Sequence, residues 1–498
     1  MEPADSQSNT KAKESNMKAK DRRCGMPMRR IAGALAVALG LVSCAVGPDY
    51  VPREIDAGSG WSARTVEEQA GVDLATWWRR FDDPTLDRLV ETALEQNIDL
   101  QQAAARVTEV RALRAAVAGG RWPALGVGAS ITDRRQSENG PFPINQIPGL
   151  ERDQTIYETG FDAFWEFSLA GGLGRSVEAA DARVGAAIEQ QRGARMRVAA
   201  ETARSYFELR GAQHERDAVR AAVEASRTAT DLVRRQLEAG EVSEAVLARA
   251  EAALAAVESS LPLLDARVRA AALSIGILLG DLPESEVDLA ETAAAFTELG
   301  SFPVGQRADL LRRRPDVRAA ERVLAAATAD VGVATAKLFP KIGFGANGGF
   351  QSLARGDLFE AASETFGLVP LISWQFFNGG RVRATIHASE ARVEIAALEY
   401  EKAVKTALTD AELALTRYRS GLDALERQGA VVDAARRSLG FSDDRYRAGD
   451  ISLLELLDAE RALREAESTF ARMHTAAATD LVALYKALGG GWPAGTDM

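Results

Sequence analysis

The chain has 498 residues, enough for two or three ordinary domains or one large duplicated one. A net charge of −11 argues against a nucleic-acid partner, and 6% aromatic content beside abundant Ala, Arg and Glu suits long, closely packed helices. After the N-terminus no segment has the length and apolarity of a membrane-spanning helix.

Residues 1–43 read as a signal peptide region. Arg29 and Arg30 lead into an apolar run over 31–42, and small residues precede Cys44, as a secretory signal requires. The run Leu41-Val42-Ser43-Cys44 resembles the lipobox of bacterial lipoproteins. That resemblance implies cleavage before Cys44 and acylation, palmitate included, of its sulfur and amino group. The plain alternative is an ordinary signal with a chance cysteine. Ala45 follows rather than Asp, which in such lipoproteins favours the outer membrane. Residues 1–27 are polar and foreign to an efficient signal, so translation is expected to start at Met26 or Met28 rather than Met1. Cys24 is then lost, and one acylated cysteine leaves neither a disulfide framework nor a Cys metal site.

Residues 44–83 read as a lipid-anchored extended tether with Pro48, Pro52, Gly58 and Gly60, closed by Trp77, Trp78 and Phe81. A first repeat spans 84–282. Pro84 opens a helix in which Leu86, Leu89, Val90, Ala93, Leu94 and Ile98 keep helical spacing, predicted to run on to about Ala118. After Pro123 the period becomes two: Leu125, Val127, Ala129 and Ile131 alternate with Gly126, Gly128 and Ser130. A Pro-containing loop precedes a second run of Phe161, Ala163, Trp165, Phe167 and Leu169, set against Asp162, Glu166 and Ser168. A helix from near Arg175 to Glu238 then rises about 95 Å, more than an ordinary globular domain holds. Gly240 turns the chain, and a return helix is predicted from Ser243 to about Leu279.

A connector covers 283–306, and the plan repeats over 307–488 before a C-terminal tail, 489–498. A helix opens around Arg314-Pro315-Asp316 and ends at Phe339-Pro340. Ile342, Phe344, Ala346, Gly348 and Phe350 alternate, as do Phe366, Leu368, Ile372, Trp374 and Phe376. Asn378-Gly379-Gly380 leads into a second very long helix, a tip at Gly449 and a return helix to about Leu488. Asp99 and Pro123 match Asp316 and Pro340 at an offset of 217, while Trp165 and Gly240 match Trp374 and Gly449 at 209. The first copy therefore carries extra residues in its 133–158 loop, where insertions are tolerated.

Each tip has a physical rationale. Gly240 and Gly449 tolerate positive φ between two helices. Ser452 is placed to cap the following helix, with Glu455 three residues on reaching back to the Ser452 amide. Ser243 occupies the matching place in the first tip.

The strand runs are long enough to cross a bilayer when tilted, with one apolar, aromatic side and one side of Gly, Ser, Asp and Glu. Four strands cannot enclose a useful lumen, and open edges are not tolerated in lipid, so several chains must share one barrel. The fold class expected is mostly α with a membrane β-barrel, internally duplicated. A soluble sheet covered by helices is the plain alternative.

These residues resemble the outer membrane efflux proteins, the TolC-like family, in its lipoprotein branch related to OprM and NodT. The cues are Leu311-Arg312-Arg313-Arg314-Pro315-Asp316, Phe339-Pro340, Trp374 with Asn378-Gly379-Gly380-Arg381, and the stretch from Tyr446 to Ala459. The resemblance implies a homotrimer with a 12-stranded β-barrel and a long periplasmic α-helical barrel. It implies a passive channel of a tripartite, RND-type pump exporting small molecules or drugs. The partners implied are a periplasmic adaptor (membrane fusion protein), an inner-membrane transporter and outer-membrane lipid.

The same resemblance places Tyr446, Glu455 and Asp458 at a periplasmic gate, the two carboxylates as acidic rings and the tyrosine in a closing network. Such rings attract cations, and crowding raises carboxyl pKa values. Two departures stand out: Ile451 holds the place of the network's arginine, and Val246 that of the first tip's acid. Arg445 or Arg447 is the substitute expected. The plain readings are a capping-box Glu455, a solvated Asp458 and a packing Tyr446. Gly240, Ser243, Gly449 and Ser452 are candidates for adaptor contact, or simply for making the turns.

His214, His387 and His474 stand isolated, and Gly171-Gly172-Leu173-Gly174 lacks phosphate-loop spacing. No catalytic constellation, cofactor site or metal site is expected. A type I protein-secretion duct and a non-pore lipid-anchored periplasmic coiled-coil protein remain as alternatives.

Overall fold

The computed structural model describes residues 45–53, 58, 60–61, 74–138, 151–291, 298–300 and 307–492. Cys44, the signal region and the prolines of the 139–150 loop lie outside them. The chain divides into two compact units. Residues up to 50, 115–179 and 327–391 make the first, and residues 51–114, 180–326 and 392–498 the second.

The first unit holds one antiparallel sheet of order β1-β2-β3-β4. β1 is Ala124–Arg135, β2 Asp153–Ser168, β3 Lys341–Ser352 and β4 Glu364–Ser373. Each strand pairs with its sequence neighbour, so β1 and β4 are the edges. Directly opposed residues share a face. Val127 faces Phe161, Trp165 faces Phe344, and Ala346 faces Leu368. β4 is shorter than the alternation suggested. It stops at Ser373, and the chain turns into the next helix through Gly379 and Gly380, both at positive φ, leaving Trp374 and Phe376 beyond the strand.

The helices are α1 (Pro84–Gln96), α2 (Ile98–Gly119), α3 (Gly172–Glu238), α4 (Glu244–Glu258) and α5 (Leu261–Leu278), followed by α6 (Arg307–Arg313), α7 (Pro315–Ala336), α8 (Arg381–Ala448) and α9 (Leu453–Ala487). α3 has 67 residues and α8 has 68. Two helices expected to be continuous are interrupted. Asn97 separates α1 from α2 with ψ 132°. Its Oδ1 accepts from the Asp99 and Leu100 amides at 2.9 and 3.3 Å, while its Nδ2 donates to the Leu278 carbonyl at 2.8 Å. The side chain thus starts a new helix and ties it to α5. The return helix after the first tip is interrupted at Ser259 and Ser260, because Pro262 has no amide proton for the preceding turn.

The main core of the second unit draws on both repeats. Trp77, Trp78, Leu86 and Leu89 pack with Tyr206 and Leu209 of α3, Ile275 of α5, Leu415 and Tyr418 of α8, and Leu484 and Tyr485 of α9. Trp77 stacks on Tyr485 with centroids 4.7 Å apart. Desolvation in this cluster pushes the Tyr485 hydroxyl up to about 12. Asp83 caps α1 through the Thr85 and Leu86 amides, and its second oxygen accepts from the Tyr206 hydroxyl. The end of the expected tether is therefore core.

Candidate functional site

The sheet has two chemically different faces. Leu125, Val127, Ile131, Phe161, Trp165, Phe344, Phe366, Leu368 and Ile372 share one face by register. Val127 is 90% exposed and Phe366 88%. Water penalises such a surface, and hydrocarbon accommodates it. The opposite face carries Gly126, Gly128, Ser130, Glu158, Asp162, Glu166, Asn347 and Gly367, with Lys341 paired to Glu166 at 2.8 Å. It is less uniformly polar than expected, because Phe164, Val369 and Leu371 also lie on it. The Phe164 ring packs over Gly343, in van der Waals reach of where a Cβ there would lie.

Two tryptophans hold the corners where helix becomes strand. Trp165 Nε1 donates to the Arg121 carbonyl at 3.0 Å, and Trp374 Nε1 to the Leu338 carbonyl at 2.9 Å. The two bonds are equivalent in the two repeats, each ending two residues before a proline, Pro123 or Pro340. An indole with a satisfied N–H and an apolar ring suits a membrane–water boundary. Sequence reading placed both residues on strands and missed this bond.

The helical tips are built alike at their C-terminal ends. Gly240 and Gly449 have φ of 76° and 78°. The amide of Glu241 reaches the Gln236 carbonyl and that of Asp450 the Arg445 carbonyl, each at 2.9 Å, which closes a Schellman motif. Beyond the glycine they differ. Ser452 Oγ accepts from the Glu455 amide at 3.4 Å, whereas Ser243 makes no side-chain cap. Glu455 Oε1 meets the Ser452 hydroxyl, at 3.4 Å, rather than the Ser452 amide. The position matching Glu455 is Val246, so the first tip lacks that partner too. Gly240, Ser243, Gly449 and Ser452 are all exposed.

The gate candidates sit around the second tip. Tyr446 is half-buried in the last turn of α8, and Glu455 is exposed in the first turn of α9. Asp458, three residues on and also exposed, shares a helix face with Glu455. It lines a groove of about 570 Å³ with Arg461, Arg464 and Glu465 of α9 and Ala229, Thr230 and Ala253 of α3 and α4. Arg447 is engaged by Asp443 of its own helix at 2.6 Å.

One cluster was present in the sequence only as a motif. Arg314, between α6 and α7, is buried. It donates two bonds to Asp316, at 2.8 and 2.6 Å, one to Asp410 of α8 at 3.2 Å, and one to the Ala487 carbonyl of α9 at 3.2 Å. Burial pushes the Asp316 carboxyl up, but hydrogen bonds and charge from Arg314 outweigh it and hold the group below its ordinary value.

A four-stranded sheet with two unpaired edges and an exposed apolar face, together with helices of 67 and 68 residues, defines a class: membrane channel proteins. The family model described as "Outer membrane efflux protein" matches residues 89–281 and again 307–490, and the chain belongs to that family. It is 30% identical over 464 residues to the pyoverdine export outer membrane protein OpmQ of Pseudomonas putida, covering 92% of this chain and 97% of that one. It is also 30% identical over 449 residues to nodulation protein T of Rhizobium leguminosarum bv. trifolii, covering 87% and 91%. Among solved structures, the outer-membrane channel OprN is 36% identical with a TM-score of 0.78, covering 90% of this chain and all of that one. The CmeC channel of Campylobacter jejuni shares the fold with a TM-score of 0.84 at 22% identity, covering 91% and 96%. The protein is an outer-membrane channel component of an efflux pump and performs transport, not catalysis.

Proposed function

We propose that three copies of the chain, each anchored by lipid at Cys44, form a passive duct that carries small molecules from a tripartite, RND-type pump across the outer membrane. The observation that carries the trimer is the sheet itself: four strands, two unpaired edges and an exposed apolar face. Lipid tolerates no free edge, so β1 of one copy pairs with β4 of the next. The helices supply edges as well. α2 buries only Val107 among its 22 residues, and Ile395, Leu398 and Leu413 of α8 are exposed. The repeats over 84–282 and 307–488 each contribute two strands and one helical hairpin to the ring.

The hairpin tips meet a periplasmic adaptor, and through it an inner-membrane transporter supplies the energy. Gly240, Ser243, Gly449 and Ser452 present the contact. Tyr446, Glu455 and Asp458 form the gate, where three copies crowd six carboxylates. Relatives named for export of pyoverdine and efflux of toluene and solvent support a small-molecule cargo over a secreted protein.

Purified protein in a planar bilayer tests the duct. A heat-modifiable trimer that conducts is expected, and a lone subunit without conductance overturns the reading.

A further inference from the structure

The segment after Cys44, expected as an extended tether, has its first residues in a fitted seat. The Val46 amide donates to the Ala170 carbonyl at 3.2 Å. Arg175, in the first turn of α3, has a side chain only 6% exposed. Its guanidinium donates to the Val46 carbonyl at 3.2 Å, the Gly47 carbonyl at 3.3 Å and the Asp49 carboxylate at 2.5 Å, and also pairs with Glu178 at 2.9 Å.

Three glycines make the seat possible. A Cβ on Gly171 would lie 2.8 Å from the Ala45 Cα. One on Gly332 would lie 2.9 Å from the Val46 oxygen and 2.8 Å from the Arg175 Cγ, and one on Gly47 would lie 2.4 Å from the Gly332 Cα. Gly332 is inside α7, where glycine is disfavoured relative to alanine. Close approach of the strap explains its presence there.

The internal duplication supplies a control. At the same offsets, Arg175 corresponds to Ala384 and Gly332 to Ala115, while Gly171 corresponds to Gly380. The second copy therefore keeps the turn glycine but lacks both the cation and the small helix residue. One chain has one N-terminal strap and one seat.

We infer that residues 45–49 are a docked strap and that Arg175 is the positioning residue that fixes where the N-terminal anchor leaves the body, beside the end of β2. The anchor part of this rests on the lipidation of Cys44 proposed above; the seat does not. Three main-chain and carboxylate acceptors converge on one buried guanidinium, a geometry that lysine's single nitrogen does not reproduce.

The test uses the full-length protein in lipid nanodiscs with a nitroxide on Pro48→Cys, an exposed strap position. The parent spectrum is expected to be immobilised. Arg175→Gln should abolish the immobilised component, and so should Gly47→Val, which disturbs the strap and leaves the body untouched. Trimer heat-modifiability and conductance should match the parent in both, a result that global misfolding would not give. A mobile label in the parent overturns the docked strap. A label that stays immobilised in Arg175→Gln overturns the role of Arg175. Labelled-palmitate incorporation, read on the same samples, separates the two ideas: its absence from the parent removes the anchor and leaves the seat standing.

Discussion

At the scale of single residues, charge and burial make opposite demands on Arg314 and Asp458. Arg314 is withdrawn from water, so its carboxylate partners matter. Asp316→Asn is expected to cost about 2–3 kcal/mol, the range for a charge-assisted bond to a buried group. The pH dependence has a definite sign. Asp316 has a folded-state pKa below its ordinary 3.8, so its contribution is present above that value and disappears as pH falls through the folded value. Thermal stability of the trimer should therefore fall more steeply below about pH 4 in the parent than in Asp316→Asn. Asp458 is exposed, and its effect is expected in conduction rather than stability. Asp458→Ala should lose block by divalent cations in single-channel recordings, and unchanged block would remove Asp458 from the constriction. The sequence displayed Asp458 through its motif position. It could not display the Arg314 cluster, because Asp410 and Ala487 approach only through tertiary packing.

At the scale of elements, the two tips allow an internal comparison. Ser452→Ala removes a side-chain cap and should destabilise the first turn of α9 by about 0.5–1 kcal/mol. Ser243→Ala removes no such bond and should leave the first turn of α4 unchanged. Amide hydrogen exchange at the two turns reads the difference directly. Strands, tips and long helices were legible because their periods and turn glycines are local signals. The interruption at Asn97 was not, since Val90, Leu94 and Ile98 keep a helical spacing across it and the carbonyl that holds Asn97 belongs to Leu278. Pro262, two residues past the later break, is a local signal that the expectation of one continuous return helix passed over.

At the scale of the whole molecule, the proposal requires β1 of one copy to meet β4 of another. Three strand spacings, about 14 Å, separate those strands within one sheet, too far for a disulfide. Cysteine pairs placed along β1 and β4 should therefore form covalent ladders ending at three chains, and only intact trimers should show them. Exclusive intrachain bridging would contradict the shared barrel.

The glycine face of the sheet sets a limit on what passes. At Gly128 a Cβ would meet nothing within 4 Å, whereas at Gly160 it would strike the Gly348 carbonyl oxygen at 2.5 Å. The row Gly128, Gly160, Gly349 and Thr365 carries only one side chain, that of Thr365, and within one copy a side chain added at Gly128 meets no neighbour. Gly128→Trp should act as a sieve, turning away large cargo while small ions still flow, so that the molecular-weight cut-off of export becomes adjustable one ring of side chains at a time.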